Sequence, residues 1–110
     1  MRFYGRTVNL KDDPKLIEAY KGYHRNVWPE VEGELGKLGV TKMRIFLLGR
    51  QLFMYMEASD GFDPVAFDVR WLENPRCVAW EEIMEQYFEQ LPGAKPGEWW
   101  LPMESVYQYE

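Results

Sequence analysis

The stretch YKGYHRNVWPEVE, residues 20 to 32, carries the single histidine of the chain. An imidazole is the one side chain whose unperturbed pKa lies near neutrality, so His24 can take or give a proton under ordinary conditions. Tyr20 stands four residues before it and Trp28 four residues after, a spacing that stacks side chains along one side of a helix. Pro29 interrupts that helix, and a break leaves backbone donors and acceptors free to line a cavity. Tyr20, Trp28 and Glu30 would add a hydroxyl, a flat apolar ring and a carboxylate to the imidazole. Such a set suits proton transfer in an aromatic-lined pocket. The same spacing equally suits a histidine packed in a core with one nitrogen on a backbone carbonyl, and both readings stand at this level.

Two further aromatic positions compete for a role. Trp80 recurs with Ile83, Met84 and Tyr87 at helical steps, which favours core packing. Trp99 and Trp100 are adjacent in the Pro/Gly-bearing PGAKPGEWW, where two indoles do not bury easily together. If the backbone is extended there, one ring faces a pocket and the other a partner. Flat aromatic faces beside hydrogen-bonding groups suit sugar rings, whose C–H faces stack while their hydroxyls seek polar partners. Glu98 and Glu104 flank this loop and read first as solvated carboxylates. No phosphate-binding glycine loop, nucleophile elbow or zinc-helix motif occurs. One histidine and the lone Cys77 build no familiar metal triad, so neither metal nor cofactor is expected.

The elements that must position these groups follow from periodicity. RFYGRTVNL reads as a strand, and Asp13-Pro14 as a helix start with an N-cap and a proline in the first turn. Leu16, Ile17, Tyr20, Tyr23, His24, Val27 and Trp28 then recur at three- and four-residue steps. After a break at residues 26 to 29, Val31, Leu35 and Leu38 resume the pattern until Gly39. KMRIFLLGRQLFMYMEAS reads as a hairpin about Gly49-Arg50-Gln51. DPVAFDVRWLEN and PRCVAWEEIMEQYFEQL read as helices, and LPMESVYQYE as a final strand. The order β-α-β-β-α-β is the split βαβ, ferredoxin-like α+β arrangement, with helices on one face of a four-stranded antiparallel sheet. The other face stays apolar-rich, which makes a homodimer the default expectation.

At 110 residues, 46% of them hydrophobic, the chain reads as one globular domain spanning 1–110. A formal net charge of −5 with scattered Lys and Arg disfavours nucleic acid and anionic membranes as partners. No apolar run approaches the ~20 residues of a membrane span. The amino terminus lacks a signal core, and no disulfide framework is available. A cytoplasmic protein is the expectation.

The residues also carry a resemblance. AYKGYHRNVWPEVEGEL resembles the signature of the L-rhamnose mutarotase family: a tyrosine, three residues, a histidine, then Trp-Pro-Glu. IFLLGRQLFMYME, NPRCVAWEEIM and GEWWLPMESVYQ resemble the same family in the same order, so the likeness covers nearly the whole chain. It implies a dimeric ferredoxin-like α/β-barrel enzyme that interconverts the α and β anomers of a 6-deoxy-L-hexose, a monosaccharide partner. It also implies that His24 and Tyr20 line the sugar pocket as its catalytic pair, with Trp80 against the sugar. Trp28, Trp99, Trp100, Glu98 and Glu104 complete the expected substrate contacts. Two departures mark the chain. Glu81 and Met43 stand where rhamnose enzymes are expected to carry a tryptophan and a tyrosine, which speaks against L-rhamnose. GEWWLPMES and RIFLLGRQLFMYME resemble the L-fucose mutarotases of the family, so L-fucose is expected over L-rhamnose. A non-catalytic sugar-binding module, or a cofactor-free monooxygenase or haem-degrading enzyme, would use the same fold.

Overall fold

The computed structural model describes residues 1–110. Three of its helices begin with one device. Asp13, Asp63 and Asn74 are extended residues ahead of a proline. Each side chain accepts a hydrogen bond from the backbone N–H two residues on, at 2.9, 3.0 and 2.9 Å. The side chain satisfies a donor that the helix start leaves open, and proline occupies a position where no N–H is missed. These caps open α1 (Pro14–Arg25), α3 (Pro64–Trp71) and α4 (Pro75–Glu85). The remaining helix, α2 (Pro29–Lys37), starts at Trp28 with no side-chain cap. The break between α1 and α2 covers residues 26–28, just ahead of Pro29, where the sequence places it.

The strands β1 (Arg2–Leu10), β2 (Val40–Leu48) and β3 (Gln51–Ala58) form antiparallel ladders, with β1 beside β3 and β3 beside β2. Gly49, at φ 63°, makes the hairpin turn in a conformation that most residues resist. The far edge of β1 carries two short pieces. Leu10 and Asn9 pair with Phe88 and Glu89 of β4 (Phe88–Glu89), while Thr7, Arg6 and Gly5 pair with β5 (Leu101–Met103). Together they are one fourth strand interrupted by the excursion of residues 90–100. The result is the ferredoxin-like α+β arrangement.

Two sequence expectations change here. The last helix does not run to residue 91. It closes at Glu85, the Tyr87 carbonyl accepts from the Lys11 N–H, and Phe88 enters the sheet fully buried. The final strand is also shorter than 101–110, since only Leu101–Met103 pairs and residues 104–110 leave the ladder. In both places a side chain's place in the core or a hydrogen-bonding edge overrides local propensity.

Alternation along the strands sorts the two faces of the sheet. Val8, Leu10, Leu52 and Met56 point inward and are buried, joined by Tyr20, Val31, Cys77, Trp80, Met84 and Phe88. Fully burying a side chain such as Leu52 or Phe88 is worth about 1.5–3 kcal/mol. On the outer face Phe46 and Phe53 stack at 6.2 Å, and Phe3 and Tyr55 at 6.3 Å. Gly5 makes room for this layer, because a Cβ there would lie 3.1 Å from the Phe53 ring. Phe46 and Leu48 remain 54% and 84% exposed, so an apolar sheet face stands open. No helix is long and apolar enough to cross a membrane.

Candidate active site

Helix α1 presents Tyr20 and His24 one turn apart on its inner side, with ring centroids 4.3 Å from each other. The His24 Nδ1 lies 3.0 Å from the Tyr20 carbonyl oxygen. A carbonyl only accepts, so Nδ1 is the protonated nitrogen of the neutral ring, and Nε2 keeps its lone pair. Nε2 finds no partner in the chain, yet it is not a sealed orphan, because every buried side-chain nitrogen and oxygen is bonded. It is therefore accessible, and His24 lines the cavity. Burial lowers the pKa of His24 below its usual 6.5, opposed by the backbone bond, so the free ring is neutral at pH 7.

The same reasoning applies to two neighbours. Tyr20 is 4% exposed and Trp80 5%, and neither the hydroxyl nor the indole N–H has a partner or is sealed. Both residues line the cavity. Burial, with the charge of Glu81 nearby, raises the Tyr20 pKa far above its ordinary value, so its hydroxyl stays a donor. Trp80 belongs to the core and to the site at once, with its ring 5.5 Å from that of His24 in an edge-on arrangement.

The cavity measures about 810 Å³ and lies between the inner sheet face and the helices, within the usual range for small-molecule sites. Met43, Ile45, Met54 and Met56 supply an apolar floor from the sheet. Trp99 and Trp100 both line it and both pack on Phe88, at 6.1 and 5.8 Å. They do not alternate, because they sit in the irregular excursion just before β5 and not in a paired strand.

Other residues singled out from sequence stand elsewhere. Trp28 does not line the cavity; its ring braces Trp80 at 5.2 Å, with the Arg76 guanidinium 4.1 Å from its centre. Glu30 faces outward to Arg76 at 3.7 Å. Glu98 reaches the cavity rim, but its Oε1 accepts from the Lys95 N–H at 2.8 Å and holds the turn. Glu104 is exposed beyond β5 and outside the cavity. No three His, Cys, Asp or Glu side chains cluster closely enough to hold a metal ion.

Glu81 is the group whose position sequence reading undervalued. It lines the cavity, as Met43 does, so both departures noted in the sequence belong to its wall. Its Oε1 accepts a hydrogen bond from the Trp71 indole at 3.1 Å. The signal was present: Cys77, Trp80 and Met84 mark the buried stripe of α4, and Glu81 follows Cys77 by four residues and precedes Met84 by three.

Residues 4–109 match the L-rhamnose mutarotase family. A UPF0734 protein of Dictyostelium discoideum is 42% identical over 97% of this chain and 89% of its own. An L-fucose mutarotase of Xanthomonas campestris pv. campestris is 40% identical over 84% of this chain and 76% of its own. Among solved structures, an L-rhamnose mutarotase from Formosa agariphila superposes over the full length of both chains, with a TM-score of 0.75 at 23% identity, a likeness of fold.

Proposed function

The chain belongs to the L-rhamnose mutarotase family and is an isomerase, and from that premise we propose that it exchanges the α and β anomers of L-fucose in preference to L-rhamnose. The observation that carries the reading is that three residues with an unpartnered polar atom line one aromatic and methionine-lined cavity. Those atoms are the Tyr20 hydroxyl, His24 Nε2 and the Trp80 indole N–H.

Mutarotation opens a hemiacetal and recloses it on the other face of the carbonyl carbon. A proton leaves the anomeric hydroxyl, and another reaches the ring oxygen. Opening already proceeds in water, so positioned acid–base groups worth roughly 10²- to 10⁴-fold are sufficient. His24 Nε2, with its lone pair free and its tautomer fixed by the Tyr20 carbonyl, takes the anomeric proton. The Tyr20 hydroxyl donates to a sugar oxygen and holds the ring against Trp80. The floor of Met43, Ile45, Met54 and Met56 suits the C5 methyl that distinguishes a 6-deoxyhexose.

The preference for L-fucose draws support from the cavity positions of Glu81 and Met43 and from the name of the 40% identical relative. The two sugars differ at C2 and C4, and an unpaired polar group in a buried site costs about 1–3 kcal/mol. Magnetisation-transfer NMR of both sugars with catalytic protein tests the reading. Faster anomer exchange with L-fucose than with L-rhamnose is expected; the reverse order overturns the choice of sugar, and no acceleration of either overturns the activity.

A homodimer joined through the outer sheet faces is part of the same proposal. Phe3, Phe46, Leu48 and Phe53 form the apolar layer that such a partner would cover.

A further inference from the structure

Helix α4 turns Cys77, Trp80, Glu81 and Met84 toward the interior, and three of the four are buried apolar residues. We infer that Glu81 is the second proton-transfer group of the cavity, the carboxyl that serves the ring oxygen of a bound pyranose while His24 serves its anomeric hydroxyl. The inference rests on the mutarotase reading and supplies the partner that reading lacks.

Orientation is the first argument. Trp71, itself 8% exposed and therefore held in place, donates to Oε1. Oε2 receives no bond from the chain and is not sealed, so the one fixed oxygen leaves the other for the cavity. A carboxylate withdrawn from water and given a single protein donor is costly unless something else uses it.

The surroundings decide its protonation. Glu85 and Cys77 approach from its own helix, Asp68 from α3 and, from α1, Tyr20, whose ring lies 4.3 Å from that of His24. Arg6 of β1 also lines the cavity, but its guanidinium is engaged by Asp68 at 3.2 Å. Burial, with the negative charges of Glu85 and Asp68, raises the Glu81 pKa above 4.5, while the Trp71 bond opposes the shift. His24 moves the other way, downward. The two shifts narrow the gap between their proton affinities, which lowers the cost of a transfer that takes a proton at one and releases one at the other.

The step balances. His24 Nε2 takes the anomeric hydroxyl proton as the C1–O5 bond breaks and C1=O1 forms. Glu81, in its protonated form, gives its proton to O5. After rotation about C1–C2, the O5 hydroxyl adds to the other carbonyl face, returning its proton to Glu81 while the imidazolium returns its own to O1. Both groups end as they began.

The test follows L-fucose exchange against pH by magnetisation-transfer NMR, beside thermal melting. The parent should show a bell, with an acid limb from His24 and an alkaline limb as Glu81 loses its proton. Glu81→Gln keeps the shape and an acceptor for Trp71 but has no transferable proton; it should exchange about 10²-fold more slowly, melt like the parent and lack the alkaline limb. Trp71→Phe removes the donor that stabilises the carboxylate and should move that limb to higher pH. A parent that accelerates exchange while Glu81→Gln keeps the parental rate and both limbs overturns this inference alone. A parental profile flat on the alkaline side, or a limb unmoved in Trp71→Phe, does the same. A parent without acceleration overturns the mutarotase reading, and this inference with it.

Discussion

The two faces of the sheet are both rich in aromatic side chains, and they differ in what happens to the polar atoms among them. On the outer face the Tyr55 hydroxyl already donates to Glu57 at 2.6 Å, and the stacked Phe46 and Phe53 rings carry no polar atom at all. On the inner side, Tyr20 and Trp80 are more deeply buried, yet their hydroxyl and N–H are left unpartnered at a cavity. Buried polar groups are normally satisfied, so these two, with His24 Nε2 beside them, are what the proposed sugar site rests on. Aromatic density alone distinguishes an interface from a core poorly. The unfilled hydrogen-bonding capacity is what separates the inner side from the outer face.

That contrast breaks most sharply at His24. His24→Ala should slow anomer exchange by roughly 10²-fold or more with the melting temperature close to parental. A variant that melts alike and exchanges at the parental rate would make His24 structural. The pH dependence follows from the lowered His24 pKa. A base at His24 is active when neutral, so the acid limb of the rate should fall as pH drops through a value below 6.5. Stability follows the same sign. Below 6.5 the unfolded chain protonates this residue before the folded one, and folding weakens as pH falls through that window. Titration of the His24 ring by NMR, read beside the melting curve, checks both statements.

The outer face breaks by charge. Phe46→Glu places a carboxylate in the apolar layer, and it should weaken self-association by about 2 kcal/mol or more, roughly 30-fold in Kd. Exchange per folded chain should change far less than in His24→Ala. Light scattering at micromolar concentration reads the outcome, and a monomeric parent would sink the dimer. Specific interfaces of this kind bury on the order of 1,200 Å² or more in total.

Tyr20→Phe sharpens the comparison further. It keeps the ring stacked on His24 and Phe88 and removes only the open hydroxyl. A lost contact of about 1–1.5 kcal/mol predicts a roughly tenfold slower exchange, without loss of stability, because no protein partner is orphaned. A clear drop in melting temperature would show instead that the hydroxyl has a partner inside the protein. The smallest effect is expected for the matched change outside. Tyr55→Phe deletes a hydroxyl whose partner Glu57 remains near Lys42, at 3.8 Å. Exchange should be parental and stability within about 0.5 kcal/mol. If Tyr55→Phe slows exchange as much as Tyr20→Phe does, the distinction between the two faces fails.

Much of this was legible from residue order. The Asx-Pro pairs at residues 13–14, 63–64 and 74–75 open helices through a local hydrogen bond between each side chain and the backbone two residues on. The alternation in MRIFLL separates inner from outer residues because a strand's side chains must point to opposite faces. Tyr20 and His24 share a helix side by the 3.6-residue repeat, so their pairing was likewise a local matter. What the tertiary structure alone decided was which of these groups end without a partner, and which distant ones meet. Phe88 leaves its helical pattern because the edge of β1 offers backbone bonds at that point. Trp99 and Trp100 face one way because they precede the resumed pairing of β5. Glu81 lies sixty-one residues beyond Tyr20, and nothing in the spacing of either could report that one bears on the other's hydroxyl. Local order follows from short-range sterics and hydrogen bonds, which sequence encodes directly. A site depends on desolvation and on charges gathered across the core, and those exist only once the helices have packed on the sheet.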